Sequence, residues 1–103
     1  MKVIVKHMEM NEITGAVEGY TPVAEVDVSN IDPQEDPLEY AWRYTNNVLG
    51  SWSLKIGGDA NDDVTVLVER EDGMGLRSSM MGDRFEFDGV EYRVALAGFK
   101  KVA

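Results

Sequence analysis

Hydrophobic and polar residues alternate most cleanly over Val23–Val28. Ala24, Val26 and Val28 take one face there, and Glu25 and Asp27 the other, the period-2 signature of a half-buried strand. Val64–Arg70 repeats the pattern, with Val64, Val66 and Val68 inward and Thr65 and Glu69 outward. Lys2–Met8 is rich in β-branched residues and free of breakers, which predicts a first strand. Phe85–Tyr92 is divided by Asp88-Gly89, a two-residue hairpin turn in which glycine supplies positive φ. That register pairs Phe87 with Val90 and Phe85 with Tyr92, on a face continued by Val94 and Leu96. Ser51–Ile56 predicts a short strand with Trp52 and Leu54 on one face. Residues 9–22 and 71–83, punctuated by Gly15, Gly19, Pro22, Gly73, Gly75 and Gly82, predict irregular chain.

One segment follows the helical period instead. Asp32-Pro33-Gln34-Glu35 and Asp36-Pro37-Leu38-Glu39 both offer an acidic N-cap, a proline at the first helical position and an acid at the third. Asp36 is the favoured start, because the apolar stripe Leu38, Ala41, Trp42, Thr45 and Leu49 begins just after it. The helix is expected over residues 36–47, with Gly50 as its stop. A second row, Tyr40, Tyr44 and Val48, gives the helix two apolar faces, so that it is either deeply covered or half-committed to a partner. The fold class expected is α+β: one domain over residues 1–103, a mostly antiparallel sheet of about four to six strands, and one main helix packed on it.

Composition narrows the function. The chain has 103 residues, 19 Asp and Glu against 10 Lys and Arg, a net charge of −9 and no cysteine. Such acidity argues against gripping nucleic-acid phosphates or anionic membranes directly. Without cysteine there are no disulfides, thiolate metal sites or thiol nucleophiles, which suits a reducing cytosol. No apolar run is long enough to cross a bilayer, and Met1–His7 is too short and too charged for a signal peptide. The expected location is therefore cytoplasmic. The charge is unevenly placed. Residues 1–40 carry nine acids and two lysines, residues 41–103 ten acids and eight bases, and Met8–Trp42 contains no Lys or Arg. The one-sign run is either a solvated surface or a negative face aimed at a basic partner.

Signatures of chemistry are sparse. Asp59, Asn61 and Asp63 open like a calcium loop, but Val64 stands where glycine is needed and Arg70 where a bidentate acid is needed. No metal site and no cofactor are therefore expected. Arg77, Ser78 and Ser79 could hold an anion or nucleotide through charge-assisted hydrogen bonds, without the spacing or lysine of a phosphate loop. The competing account pairs Arg77 with a carboxylate and uses the serines to cap a turn. His7, the single histidine, sits among apolar neighbours, which favours a structural role, and no nucleophile elbow is present. A catalytic role is not expected.

An ordered series of short motifs adds an origin. It consists of Leu38-Glu39-Tyr40-Ala41-Trp42-Arg43-Tyr44-Thr45-Asn46-Asn47, Gly50-Ser51-Trp52, Arg77-Ser78-Ser79-Met80-Met81-Gly82-Asp83, Tyr92-Arg93-Val94 and Gly98-Phe99. Over residues 38–100 this resembles small proteins carried by bacteriophages and mobile elements. Their pattern has an aromatic-Arg-x-Thr-x-Asn/His helix, a Ser-Trp pair, an Arg-Ser-Thr-Ser-x-Gly-Asp stretch and a terminal Gly-Phe. Ser79 and Met80 stand here where Thr-Ser is usual. The resemblance implies a phage-type protein in a bacterial host and carries no activity with it. The leading expectation is a binding module that engages a basic host protein. Glu25, Asp27, Asp32, Glu35, Asp36 and Glu39 would supply charge, with Tyr40 and Tyr44 as anchors. The alternatives are a small-ligand site at Arg77, Ser78 and Ser79, and a structural or virion-associated part.

Overall fold

The strand signals close into one antiparallel sheet. In the computed structural model, which describes residues 1–102, β1 (Lys2–Met10) pairs with β2 (Val17–Asp27) in a long hairpin, with irregularities at Val5/Lys6 and Glu9/Met10. Between β2 and the rest of the sheet lie α1 (Pro37–Arg43) and a two-stranded ribbon of β3 (Gly50–Ser51) and β4 (Ile56–Gly57). The chain then supplies β5 (Val64–Val66), β6 (Arg84–Phe87), β7 (Val90–Val94) and β8 (Phe99–Lys101). The six-stranded sheet has the order β5-β2-β1-β6-β7-β8. An antiparallel sheet with one helix is the expected class.

The register explains the core. Val3 faces Val26 and Phe87, and Val5 faces Ala24 and Phe85, so one face gathers Val3, Val5, Ala24, Val26, Val64 and Phe85, all nearly or fully buried. Leu38 and Ala41 of α1 and the fully buried Trp52 cover that face. Burial of each large side chain here is worth about 1.5–3 kcal/mol. The other face stays open and is laced by ion pairs: Lys2 with Glu25, Lys6 with Glu86 and Glu91, and Arg84 with Glu91.

Several expectations are corrected. The helix has seven residues and ends at Arg43 rather than near residue 47. Thr45 donates from Oγ1 to the Ala41 carbonyl at 2.8 Å, and the Asn46 side chain donates to the Trp42 carbonyl. Polar side chains thus take over carbonyls that a further turn would use. Leu49 consequently leaves the stripe and is exposed. Its start is as expected: Asp36 accepts from the amides of Leu38 and Glu39 at 2.8 and 3.3 Å, while Asp32 holds only a turn through the Gln34 amide. The strand expected over Ser51–Ile56 is instead the tip of the ribbon, in which Ser51 pairs with Ile56 and residues 52–55 form the turn. It closes because a Cβ on Gly50 or Gly57 would collide with the facing Ile56 or Leu49 carbonyl. The strand expected to reach Arg70 stops at Val66, and strands occupy most of residues 9–22. Leu96 leaves the hairpin face and sits exposed in the β7–β8 turn.

Candidate functional site

Carboxylates in this protein fall into two kinds, and their partners separate them. Asp83 is fully buried behind the loop that enters β6. Its Oδ1 and Oδ2 take a bidentate Arg77 guanidinium at 2.9 and 2.8 Å, with the amides of Met8 and Met80 at 2.9 and 2.8 Å. Burial alone would push the Asp83 carboxyl up, yet Arg77 and the two amides hold it below its ordinary range. Asp59 is built alike. Burial opposes its charge, but the Leu49 and Val48 amides and Arg43 bring its pKa down.

A hydroxyl chain runs beside Asp83. His7 Nε2 lies 3.1 Å from Ser79 Oγ, which lies 2.7 Å from Thr45 Oγ1. Because the Thr45 proton goes to the Ala41 carbonyl, Ser79 must donate to Thr45 and His7 Nε2–H to Ser79. Burial lowers the His7 pKa to about 4, opposed by the Asp83 charge and aided by Arg77, so the ring is neutral at pH 7. Asp83 Oδ2 approaches the same ring nitrogen, at 3.8 Å. A nucleophilic serine needs a base at one ring nitrogen and an orienting acid at the other. This arrangement supplies neither. It is a clamp that ties β1, α1 and the 77–83 loop together.

The three side chains considered for an anion point to different places. Arg77 is bound to Asp83, Ser78 Oγ accepts from the Asn47 amide at 2.8 Å, and Ser79 belongs to the hydroxyl chain.

The second kind of carboxylate gathers at one end of the sheet. Asp27 closes β2 there, and its amide donates to the Asp63 carbonyl at 2.8 Å. Asp88 occupies the β6–β7 turn at the same end, beyond the Val3–Phe87 pair. Asp32, Glu35 and Asp36 lie in the connection that leads to α1, and Glu39 lies in its first turn. Tyr40 links α1 to the loop that leads into β5, donating its hydroxyl to Asp63 at 2.6 Å and accepting from Asn61 at 3.0 Å. Burial and the Asp63 bond raise its pKa to about 12. Tyr44 stacks on Tyr40 at 4.9 Å between centroids, with Arg43 over its ring at 4.8 Å. Asp27, its pKa lowered by the Ser29 hydroxyl and amide, stays ionised.

Of the acids singled out in the sequence, Glu25 stands apart, on the open face and paired with Lys2 at 3.1 Å. Of the other five, Asp27 shares the sheet end with Asp62, Asp63 and Asp88, which lie far along the chain, Asp32, Glu35 and Asp36 lie in the connection to α1, and Glu39 lines a groove toward the β7–β8 turn. Among the described residues none of these eight forms an ion pair with Lys or Arg. The signal for Asp63 was the strand pattern at Val64, which places that residue beside the end of β2 once the two strands pair. Comparison with protein-family models, with curated proteins and with solved structures finds no match to this chain.

Proposed function

We propose that this protein is a binding module whose acidic sheet end engages a basic partner, in the manner of a phage-type accessory protein acting on a host protein. The observation that carries this reading is the set of eight carboxylates from the sheet end to the first turn of α1, none ion-paired to Lys or Arg among the described residues, against which only Lys2 and the Met1 ammonium lie beside Asp27. In a chain of net charge −9, a surface with this excess of negative charge focuses a field that speeds encounter with a positive surface and orients it. A nucleic-acid-binding protein of the host presents such a surface, and covering it would block its access to phosphate backbones. Tyr40 and Tyr44 flank the acids as half-buried rings with little rotamer freedom left to lose.

The test is capture from bacterial lysate at low and at high salt, with the unmodified protein and a Glu35→Lys/Asp62→Lys variant. Both residues are exposed and free of structural bonds. A partner held at low salt, released by 1 M salt (where screening acts within about 3 Å) and lost in the variant supports the reading. A partner that survives either treatment overturns it.

A further inference from the structure

Glu39, in the first turn of α1 next in sequence after the acidic connection, lines a groove of ≈ 420 Å³ between α1 and the β7–β8 turn, at the end of the sheet away from Asp27 and Asp88. The remaining walls are apolar: Trp42 from α1, Met81 from the clamped loop, Val94 from β7, and Leu96 and Phe99 from the turn and β8. From this juxtaposition we infer that the groove takes one large apolar side chain flanked by Lys or Arg, presented by the basic partner. The inference rests on the reading of the acidic end as a site for such a partner.

Three observations carry it. Leu96 is 93% exposed at the tip of a turn closed by the Ala95 amide on the Gly98 carbonyl at 2.9 Å. A polar residue would serve that turn equally well, so the fold gives leucine no work there. The volume suffices for an aromatic side chain, and Met81, 56% exposed, offers a flexible wall that can close around varied shapes. Finally, Glu39 is the single charged side chain in the lining and forms no ion pair. An apolar floor with one free carboxylate at its rim matches an apolar side chain next to a cation, and it disfavours an acidic neighbour. The clamp contributes as well. Gly82 donates to the Val94 carbonyl at 2.9 Å and Asp83 to the Met80 carbonyl at 3.1 Å, so Met81 is held against β7 before any partner arrives.

The experiment titrates the 15N-labelled full chain with the amidated peptides Lys-Lys-Trp-Lys-Lys, Lys-Lys-Ala-Lys-Lys and Glu-Glu-Trp-Glu-Glu. The expected result is that the first shifts the Trp42 indole and the Leu96 and Phe99 amide resonances. It should bind about tenfold more tightly than the alanine peptide, as burial of a large side chain allows. Leu96→Asp, at a site too exposed to affect folding, should remove the groove shifts, and Glu39→Gln should weaken them. If the tryptophan and alanine peptides bind alike, with shifts confined to residues 27–39, the groove inference falls and the acidic reading stands. If the glutamate peptide fills the groove as well as the lysine peptide, the basic flank is wrong and the acidic reading loses its support there. Absence of any shift overturns both.

Discussion

Asp83 and Glu39 carry the same charge, yet the chain treats them oppositely. Asp83 is fully buried and receives a guanidinium and two backbone amides. Glu39 is exposed and has no ion-pair partner. A buried carboxylate persists only with its lone pairs occupied, so Asp83 has no capacity left for a ligand. Glu35, Glu39, Asp62 and Asp88 carry no such bonds, while Asp27, Asp32, Asp36 and Asp63 spend only one oxygen each on a nearby amide or on Tyr40. Bonding, more than charge or position in sequence, separates acids that hold the fold from acids that can meet a partner.

The largest effect should come from breaking the clamp. Asp83→Ala would strand the Arg77 guanidinium and the amides of Met8 and Met80. We expect a loss of about 3–4 kcal/mol, which for a domain of this size is a fall in Tm of roughly 15–25 °C. Urea denaturation measures it, and a loss below about 1 kcal/mol would show that the clamp is not structural.

Protonation of His7 should act next. Its folded pKa of about 4 lies below the ordinary 6.5, so between those values the unfolded chain binds the proton and the folded chain does not. The contribution is complete above pH 6.5 and is lost as pH falls towards 4, by about 2–3 kcal/mol. Asp83, whose pKa is lowered from 3.8, adds its loss only below that window. His7→Gln should flatten the stability profile between pH 6.5 and 4. An unchanged slope would place the titration elsewhere.

A third prediction separates the two aspartates that looked alike in sequence. Asp36 caps two helix amides and Asp32 only one turn amide. Asp36→Ala should cost about 1 kcal/mol and Asp32→Ala less than half of that, by thermal denaturation of both. Equal losses would mean that the helix does not begin at Pro37.

How far these features could be read in advance depended on how local their causes are. The Asp88-Gly89 turn and the Asp36 cap are decided within four residues, and the 85–92 register and the helix start are as the sequence predicts. The helix end turns on side chains capturing carbonyls, which apolar periodicity does not register. The β1–β2 hairpin runs through Gly19 and Pro22, both ordinary breakers, because an irregularity at Val5/Lys6 accommodates the proline. The acidic site was half legible. Residues 27–39 are contiguous in sequence, whereas Asp62, Asp63 and Asp88 join them only through the β2–β5 and β1–β6 pairings.

The smallest expected effect on stability is also the sharpest test of the contrast. Glu35→Lys and Glu39→Lys alter exposed side chains with no ion pairs in the fold, so each should change stability by less than about 0.5 kcal/mol. At Glu35 the sign should be neutral or stabilising at low salt, because repulsion from neighbouring carboxylates is removed, and should vanish as salt rises. At Glu39, in the first turn of α1, the helix dipole opposes the change and the sign turns slightly unfavourable. Reversal at Asp83 could not behave so, since its partners are fixed and water is excluded. A loss above about 1 kcal/mol at Glu35 or Glu39 would mean that these carboxylates are tied into the fold after all. The sheet end would then be a second clamp, and no longer a free negative surface.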